Sequence, residues 1–404
     1  MSTDRPRVLI VGGGIGGTAT GVALQQLGFD AVVFERAPEV GRVQIGGCYV
    51  LWYAGMLSLA QLGLADKVRA VGHEIELFEM CDERGRTINA FDTGERGRAL
   101  GALPVAVRRA DLLRILTEAL EPQRLRLGST FRDAVQDRRW VTASFTDGHQ
   151  ERGDALVGAD GLESSVRAHL HGLAPALHPG YGHWSGLTDD PGGVPEGVFR
   201  VMHGDAARFA FFHLGDGSVC WWCTRPAPEG PDGDALGSRD ALLDAFGTWH
   251  PAARALLEAT PPESIHRRDT LDRPPLRRWG EGRITLLGDA AHAMTFNLGQ
   301  GAGTSLTDAV TLAEHLAGGP LLLAMRRYEQ VRRKITTPLV RMSRRVGAAA
   351  AWEGAVGARA NLAFVRAGRR STPTVLERDA RSHPALAAES GSVAGRRQPD
   401  GTTH

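Results

Sequence analysis

Residues 7–35 read RVLIVGGGIGGTATGVALQQLGFDAVVFE, and the order of patterns in them decides the fold. The opening RVLIV is a continuous β-branched and aliphatic run, which suits a strand buried on both faces. Glycines follow. TATGVALQQLG then carries a helical pattern, with Gly28 as its stop and AVVFE as the next strand. Strand, helix and strand in this order make a βαβ unit, whose crossover is right-handed. An α/β fold on a parallel sheet is the expectation.

Gly12, Gly14 and Gly17 have the spacing G-x-G-x-x-G directly between that strand and that helix. The first permits a tight turn, the second lets a pyrophosphate approach the backbone, and the third lets helix and strand pack closely. The helix start offers free N–H groups and a partial positive charge to phosphates. Glu35 ends the second strand, where an acid can accept hydrogen bonds from ribose hydroxyls. Ile15, Gly16 and Arg36 flank these positions and join them as candidate cofactor contacts. An acid at position 35 disfavours a 2′-phosphate, so FAD and NAD are the candidates at this stage.

Composition narrows the class. The chain has 404 residues, 42% hydrophobic and 23% charged, as in ordinary globular proteins. With 47 basic against 46 acidic residues the net charge is +1, which advertises neither nucleic acid nor an anionic membrane. No window reaches the roughly 18–20 apolar residues of a membrane helix. MSTDRPRVLIVGGG runs from a polar lead straight into a strand pattern, without the succession of a secretion signal, so a cytoplasmic location is expected. Cys220 and Cys223 form a CxxC around two tryptophans, but no second ligand pair accompanies it. Strand packing, not a metal, is the reading for them.

Further along, 55–72 is helical in pattern, 73–92 alternates as strands, and RRADLLRILTEAL at 108–120 is an amphipathic helix. Residues 173–272 are richer in Pro, Gly and aromatics. Within them RFAFFHLGDGSVCWWCT, 208–224, reads as a hairpin: Phe209, Phe211 and His213 share one face, and Val219, Trp221 and Cys223 share one on the return strand. A buried strand returns at RITLLGD, followed by helices at about 301–317 and 320–346. The last twenty residues are small and polar, a composition of disorder.

Three more motifs separate the two cofactors: RADL at 109–112, VGADGLESSVR at 157–167, and LLGDAAHAMTFNLGQGAGTSLTDA at 286–309. In the last, a strand delivers Asp289 to a glycine loop with no Lys. A carboxylate there repels phosphate but accepts hydrogen bonds from a polyol. In this order, behind the fingerprint, the motifs resemble the single-component FAD-dependent aromatic hydroxylases, the p-hydroxybenzoate hydroxylase-like monooxygenases. RYEQVRRKITTPLVRMSRRVG, 327–347, is similar to the ending of their short form, which lacks a thioredoxin-like domain.

The resemblance implies a Rossmann-like FAD-binding domain (GR2-type) at 1–75, 104–172 and 273–346. It is interleaved with an antiparallel-sheet substrate domain at 76–103 and 173–272. A C-terminal helical region at 347–385 and a disordered tail at 386–404 would complete the chain. It assigns Gly12, Gly14, Gly17 and Glu35 to the ADP half of FAD, Arg109 to the flavin phosphates, and Asp289 to the ribityl chain. Gly299, Gly301, Ala302 and Gly303 would lie beside the flavin ring, where the next helix start favours a reduced, anionic flavin. Asp160 and Arg167 match an element tied to FAD and NAD(P)H; a buried Asp–Arg strut explains them equally well.

The implied chemistry is reduction of FAD by NAD(P)H, a transient co-substrate, and capture of O2 as a flavin C4a-hydroperoxide. One oxygen atom then passes to an aromatic or polyene-type small molecule, by hydroxylation or epoxidation. No side chain is assigned as acid or base, and His292 is read as structural. Pocket candidates are Phe296, Trp184, Phe211, Trp221 and Trp222. The chain departs from the family at Phe296, usually Pro, at Gly303, usually Asn, and at Tyr53-Ala54, usually Pro-Asn. The first two motivate an alternative: an FAD-binding cyclase or scaffold without net redox turnover.

Overall fold

The computed structural model describes residues 6–39, 47–230, 233 and 236–386. Residues 387–404 of the expected tail lie outside the described residues. The RVLIV run is the central strand of a five-stranded sheet, in the order Ile284–Leu286, Ala155–Gly158, Arg7–Val11, Asp30–Phe34, Leu125–Arg126. Every pairing in it is parallel. Val8, Leu9 and Ile10 are fully buried, which is why the run does not alternate. Helix Ile15–Gln26 is buried along most of its length and packs on helix Gly301–Ala317.

Parallel pairing has a direct consequence. The carboxyl ends of Arg7–Val11, Ala155–Gly158 and Ile284–Leu286 lie side by side, so the loops that leave them open on one edge. Motifs far apart in sequence meet there, at the edge where open parallel sheets bind ligands. The fingerprint glycines make the approach possible. Gly12 has φ +109°, and a Cβ on it would stand 2.3 Å from the Ala159 carbonyl oxygen. A Cβ on Gly17 would stand 1.9 Å from the Gly12 carbonyl oxygen.

A second sheet has seven strands, in the order His266–Asp269, Tyr181–Asp189, Ser218–Pro226, Arg208–His213, Val198–His203, Leu77–Asp82, Thr87–Asp92. It is antiparallel apart from one parallel pair, Val198–His203 with Leu77–Asp82. One face, with Trp184, Phe209, Phe211, Trp221 and Cys223, is a core closed by helices Arg239–Phe246 and Pro251–Ala259. The other face carries Phe199, Val201, Phe212 and Cys220 and turns towards the first sheet's ligand edge. Among the described residues no helix is long and apolar enough to cross a membrane.

Helices Gly301–Ala317 and Leu321–Ala350 back the first sheet, and a buried ionic knot ties them to the C-terminal segment. Asp308 accepts from Gly288 N at 2.9 Å, His292 Nε2 at 2.6 Å and Arg332 Nε at 2.5 Å. Arg332 also donates to both carboxylate oxygens of Asp379, at 2.5 and 3.0 Å. Asp308, Arg332 and Asp379 are all buried. Burial alone would raise the Asp308 pKa, but His292 and Arg332 outweigh it and hold the carboxyl below its ordinary value. Helices Gly354–Ala367 and Thr372–Glu377 are thereby fastened across the molecule, with Asn89 Nδ2 donating to Val365 O at 2.5 Å and Ser58 hydrogen-bonded to His383 at 3.0 Å.

Removing one partner from such a pair leaves a buried charge uncompensated. Asp379→Ala is expected to lower the unfolding free energy by about 3–5 kcal/mol in urea denaturation, and a loss under about 0.5 kcal/mol would contradict the role given to the knot. Because the Asp308 carboxyl titrates below its ordinary value, its contribution is complete above about pH 4 and is lost as the pH falls through the depressed pKa.

Candidate active site

The site begins at the turn after the first strand. Gly12 N donates to Phe34 O at 2.7 Å, Gly13 N to Glu35 Oε2 at 2.6 Å, and Ala37 N to Glu35 Oε1 at 2.9 Å. Glu35 thus braces the turn, and its carboxylate keeps free lone pairs for further donors. Arg36 lies beyond it, exposed. A Cβ on Gly14 would meet nothing within 4 Å, so space opens at the start of helix Ile15–Gln26. That helix has no side-chain cap and no acid in its first turn, leaving its N–H groups to an anion such as a diphosphate. Gly14, Ile15 and Gly16 line the cavity that begins here, whereas Gly12 and Gly17 shape the turn.

Asp289 stands across the cavity, after the edge strand Ile284–Leu286, which Ala155–Gly158 separates from the first strand. Its side chain is open to the cavity, and among the described residues no donor reaches its carboxylate. The surrounding protein desolvates the carboxyl and raises its pKa; His292 opposes this, Asp308 adds to it and Arg109 opposes it. A hydroxyl-rich ligand fits such an orphaned acceptor. Arg109 lines the same stretch, as does Tyr49. Helix Gly301–Ala317 presents a second uncapped start, without acids in its first turn, and Gly299, Gly301 and Ala302 line the cavity in front of it. Gly303 faces a neighbouring helix: the Cβ of a side chain at Gly55 would lie 3.2 Å from Gly303 Cα.

The strut between Asp160 and Arg167 does not form. Asp160 accepts from Ser164 Oγ at 2.5 Å, Ser165 N at 2.7 Å and Val166 N at 3.1 Å, capping helix Ser165–His171. Arg167 donates to the carbonyls of Ala290 at 3.2 Å and Pro274 at 3.4 Å, and so clamps the turn that carries Asp289. Burial, with Arg273 nearby, pushes the Arg167 pKa down to about 10. His292 is buried against Asp308 and Trp279, outside the cavity lining.

The cavity, about 610 Å³, continues between the loop at 294–298 and the second sheet. Phe296 lies 4.5 Å from His183 and 5.3 Å from Trp222, ring centre to ring centre. The Arg208 guanidinium sits 5.5 Å from the Trp222 ring and 5.8 Å from Phe296. Arg208 is 2% exposed and donates to Asn297 Oδ1 at 2.5 Å and Thr224 Oγ1 at 3.3 Å; among the described residues no carboxylate pairs with it. Burial lowers its pKa from the ordinary value. Burial, helped by Arg208, pushes His203 down to about 3, and burial with Arg268 and Arg208 does the same to His183. Both imidazoles are neutral, and among the described residues neither ring nitrogen of His203 has a hydrogen-bond partner. Asn297 is itself fixed by Tyr181, Thr295 and Ser343 at 2.7–3.0 Å.

This geometry corrects part of the expected pocket. Phe296 and Trp222 line it, but Trp184, Phe211 and Trp221 point the other way, into the core under the two helices. Trp221 Nε1 there donates to Thr260 Oγ1 at 2.8 Å. Alternation carried the signal: Phe212 and Trp222 necessarily face opposite to Phe211 and Trp221, and Arg208 shares parity with Phe212. Arg208, His183 and His203 belong to no motif, and Asn297, although inside the 286–309 motif, carries no signal of its own that singles it out; none of the four was among the expected site residues. Cys220 lines the cavity and Cys223 the opposite core, and among the described residues no cluster suited to a metal ion occurs.

The arrangement suits a long ligand with phosphates at one end and a polyol in the middle, and known proteins match it. The family described as FAD binding domain matches residues 5–180 and 253–341. The aurachin C monooxygenase/isomerase of Stigmatella aurantiaca is 38% identical over 352 residues, 86% of this chain and 90% of that protein. An FAD-dependent urate hydroxylase of Klebsiella pneumoniae is 30% identical over 330 residues, covering 81% of this chain and 85% of that enzyme. The zeaxanthin epoxidase of Oryza sativa subsp. japonica is 34% identical over 82% of this chain but only 53% of its own length. The crystal structure of Klebsiella pneumoniae HpxO with FAD and uric acid superposes with a TM-score of 0.85 at 27% identity, over 94% of this chain and 98% of that one. With most of its length matched by the family and by a relative at 38% identity, the chain belongs to the FAD binding domain family, among its FAD-dependent monooxygenases.

Proposed function

We propose that the protein uses NAD(P)H and O2 to insert one oxygen atom into an aromatic or other electron-rich small molecule. The net reaction consumes substrate, O2, NAD(P)H and a proton, and yields oxygenated substrate, water and NAD(P)+. The observation that supports it best is continuity: one cavity runs from the Asp289 carboxylate to the buried Arg208, neither of which has an ion-pair partner among the described residues. Bound FAD supplies reduction by the nicotinamide and activation of O2. The chain supplies position and a dry pocket.

In this reading residues 1–75, 104–172 and 273–346 form the FAD-binding unit, and 76–103 with 173–272 the substrate unit. Gly14, Ile15 and Gly16 receive the diphosphate at the first helix start, in a turn that Gly12 and Gly17 make possible, with Glu35 and Arg36 on its adenosine side. Arg109 stands by the phosphates, Asp289 accepts from the ribityl hydroxyls, and Gly299, Gly301 and Ala302 lie along the flavin ring. Asp160 and Arg167 act as positioning residues for the two loops. Arg208 orients an acceptor oxygen of the substrate, and its buried charge favours the ionised form of a ring hydroxyl, which makes the ring more electron-rich. Trp222 and Phe296 hold the ring by its faces and edges. Gly303 has a packing reason against Gly55 and Phe296 has a place in the pocket wall, so the two departures that motivated a scaffold without redox turnover do not require one.

Two substitutions test this. Asp289→Ala is expected to weaken FAD retention by about tenfold to a hundredfold with the fold kept, as lost flavin absorbance at unchanged circular dichroism; unchanged flavin content would refute the role. Arg208→Gln is expected to lower kcat/KM by about a hundredfold, to move the pH profile of kcat/KM upward because the substrate hydroxyl must ionise unaided, and to divert reductant into hydrogen peroxide. Arg208→Lys should not restore coupling, since a point charge cannot replace the planar fork. A profile at its original position would remove Arg208 from the mechanism.

A further inference from the structure

The two ends of the cavity differ in chemistry. Its charged lining residues cluster at one end: Asp289 on the glycine loop, Arg109 at the start of helix Arg109–Glu118, and Arg208, Arg268 and Asp269 beside His183 and Phe296. Past Trp52 the lining loses charge. Trp52 marks the passage: its Nε1 lies 2.9 Å from where a Cβ on Gly299 would stand, and its ring is 5.5 Å from Phe78. Beyond it the sheet contributes Phe78 and Phe199, stacked at 5.2 Å, and Phe212, edge-on to Phe199 at 5.2 Å. The opposite wall is the C-terminal segment, uncharged and mainly apolar through Val365, Val375 and Leu376, with Ser371 and Thr372 between them.

That wall is built in. Asn89 fixes Val365 from the sheet side, and the Asp379–Arg332 pair fixes the far end from the helix side. Phe364, 39% exposed, marks where the arm reaches the surface. Protein interiors close up at crystal-like density, and apolar room left between aromatic and aliphatic walls costs stability unless an apolar guest takes it. A water-soluble ring alone would use the Arg208 end and leave the arm idle.

We propose that the arm between the second sheet and residues 364–376 is a subsite for a hydrocarbon chain, and that the substrate is therefore an aromatic head carrying a lipophilic tail. The inference rests on the monooxygenase reading above for the placement of the head. It assigns the tail to the C-terminal segment, which makes Val365, Val375 and Leu376 specificity-determining residues.

Titrating the FAD-loaded protein with phenol, 4-butylphenol, 4-octylphenol and 4-dodecylphenol, and following the perturbation of the flavin spectrum, measures the arm without turnover. The Kd is expected to fall about threefold to fourfold per added methylene until the arm is full, and then to level off. Val375→Trp should move the levelling point to shorter chains, and Val375→Ala, which keeps the fold at little cost, to longer ones. A Kd independent of chain length, or the same levelling point in both variants and the parent, overturns the subsite. A Kd that falls with chain length while no phenol stimulates NAD(P)H oxidation keeps the subsite and sinks the monooxygenase reading instead.

Discussion

The carboxylate of Asp308 is the point on which the rest depends. In a dry interior a carboxylate survives only where donors surround it, and Asp308 has three: the Gly288 amide, His292 and Arg332. Each donor belongs to a different task. The Gly288 amide fixes the turn that presents Asp289; His292 locks the short helix behind that turn; Arg332 passes the constraint to Asp379 and hence to the C-terminal helices. One buried charge therefore couples the polyol-facing loop to the wall of the apolar arm. Asp289, on the same turn but facing the open cavity, is left without a donor to its carboxylate among the described residues.

Electrostatically the site is divided. At two helix starts, Ile15 and Gly301, N–H groups face the cavity uncapped, a setting for anions. At the far side the buried Arg208 guanidinium sits among aromatic rings with two imidazoles that burial keeps neutral. A guanidinium that pairs with no carboxylate among the described residues carries a desolvation cost that a ligand acceptor can offset. Stability and recognition pull in opposite directions at Arg208, as they do at Asp289.

Much of this was legible in the sequence because it rests on local rules. RVLIV, the three glycines and the helix after them are read from periodicity and from backbone conformations that glycine alone accepts, and the sheet obeys them. The three later motifs were readable as a set, although only parallel pairing explains why those at 157–167 and 286–309 meet the fingerprint; RADL arrives from a separate antiparallel sheet. The rest was hidden for physical reasons. The parallel pairing of Val198–His203 with Leu77–Asp82 joins segments with no local relation. The partners of Asp160 and Arg167 depend on loop paths that spacing does not specify. Choosing Trp221 over Trp222 needed the knowledge of which sheet face two helices cover, which alternation alone leaves open. The C-terminal segment has no motif, and its place is set by a buried ion pair.

The central claim is that a single cavity brings an FAD held at Asp289 to an aromatic head held at Arg208, so that oxygen activated at one reaches the other. Incubating the FAD-loaded protein with NAD(P)H, a long-chain alkylphenol and isotopically labelled O2, and weighing the product by mass spectrometry, tests it most directly. The expected product gains one labelled oxygen atom for each NAD(P)H consumed. A product of unchanged mass formed without reductant, or NAD(P)H consumption that yields only hydrogen peroxide, would contradict it.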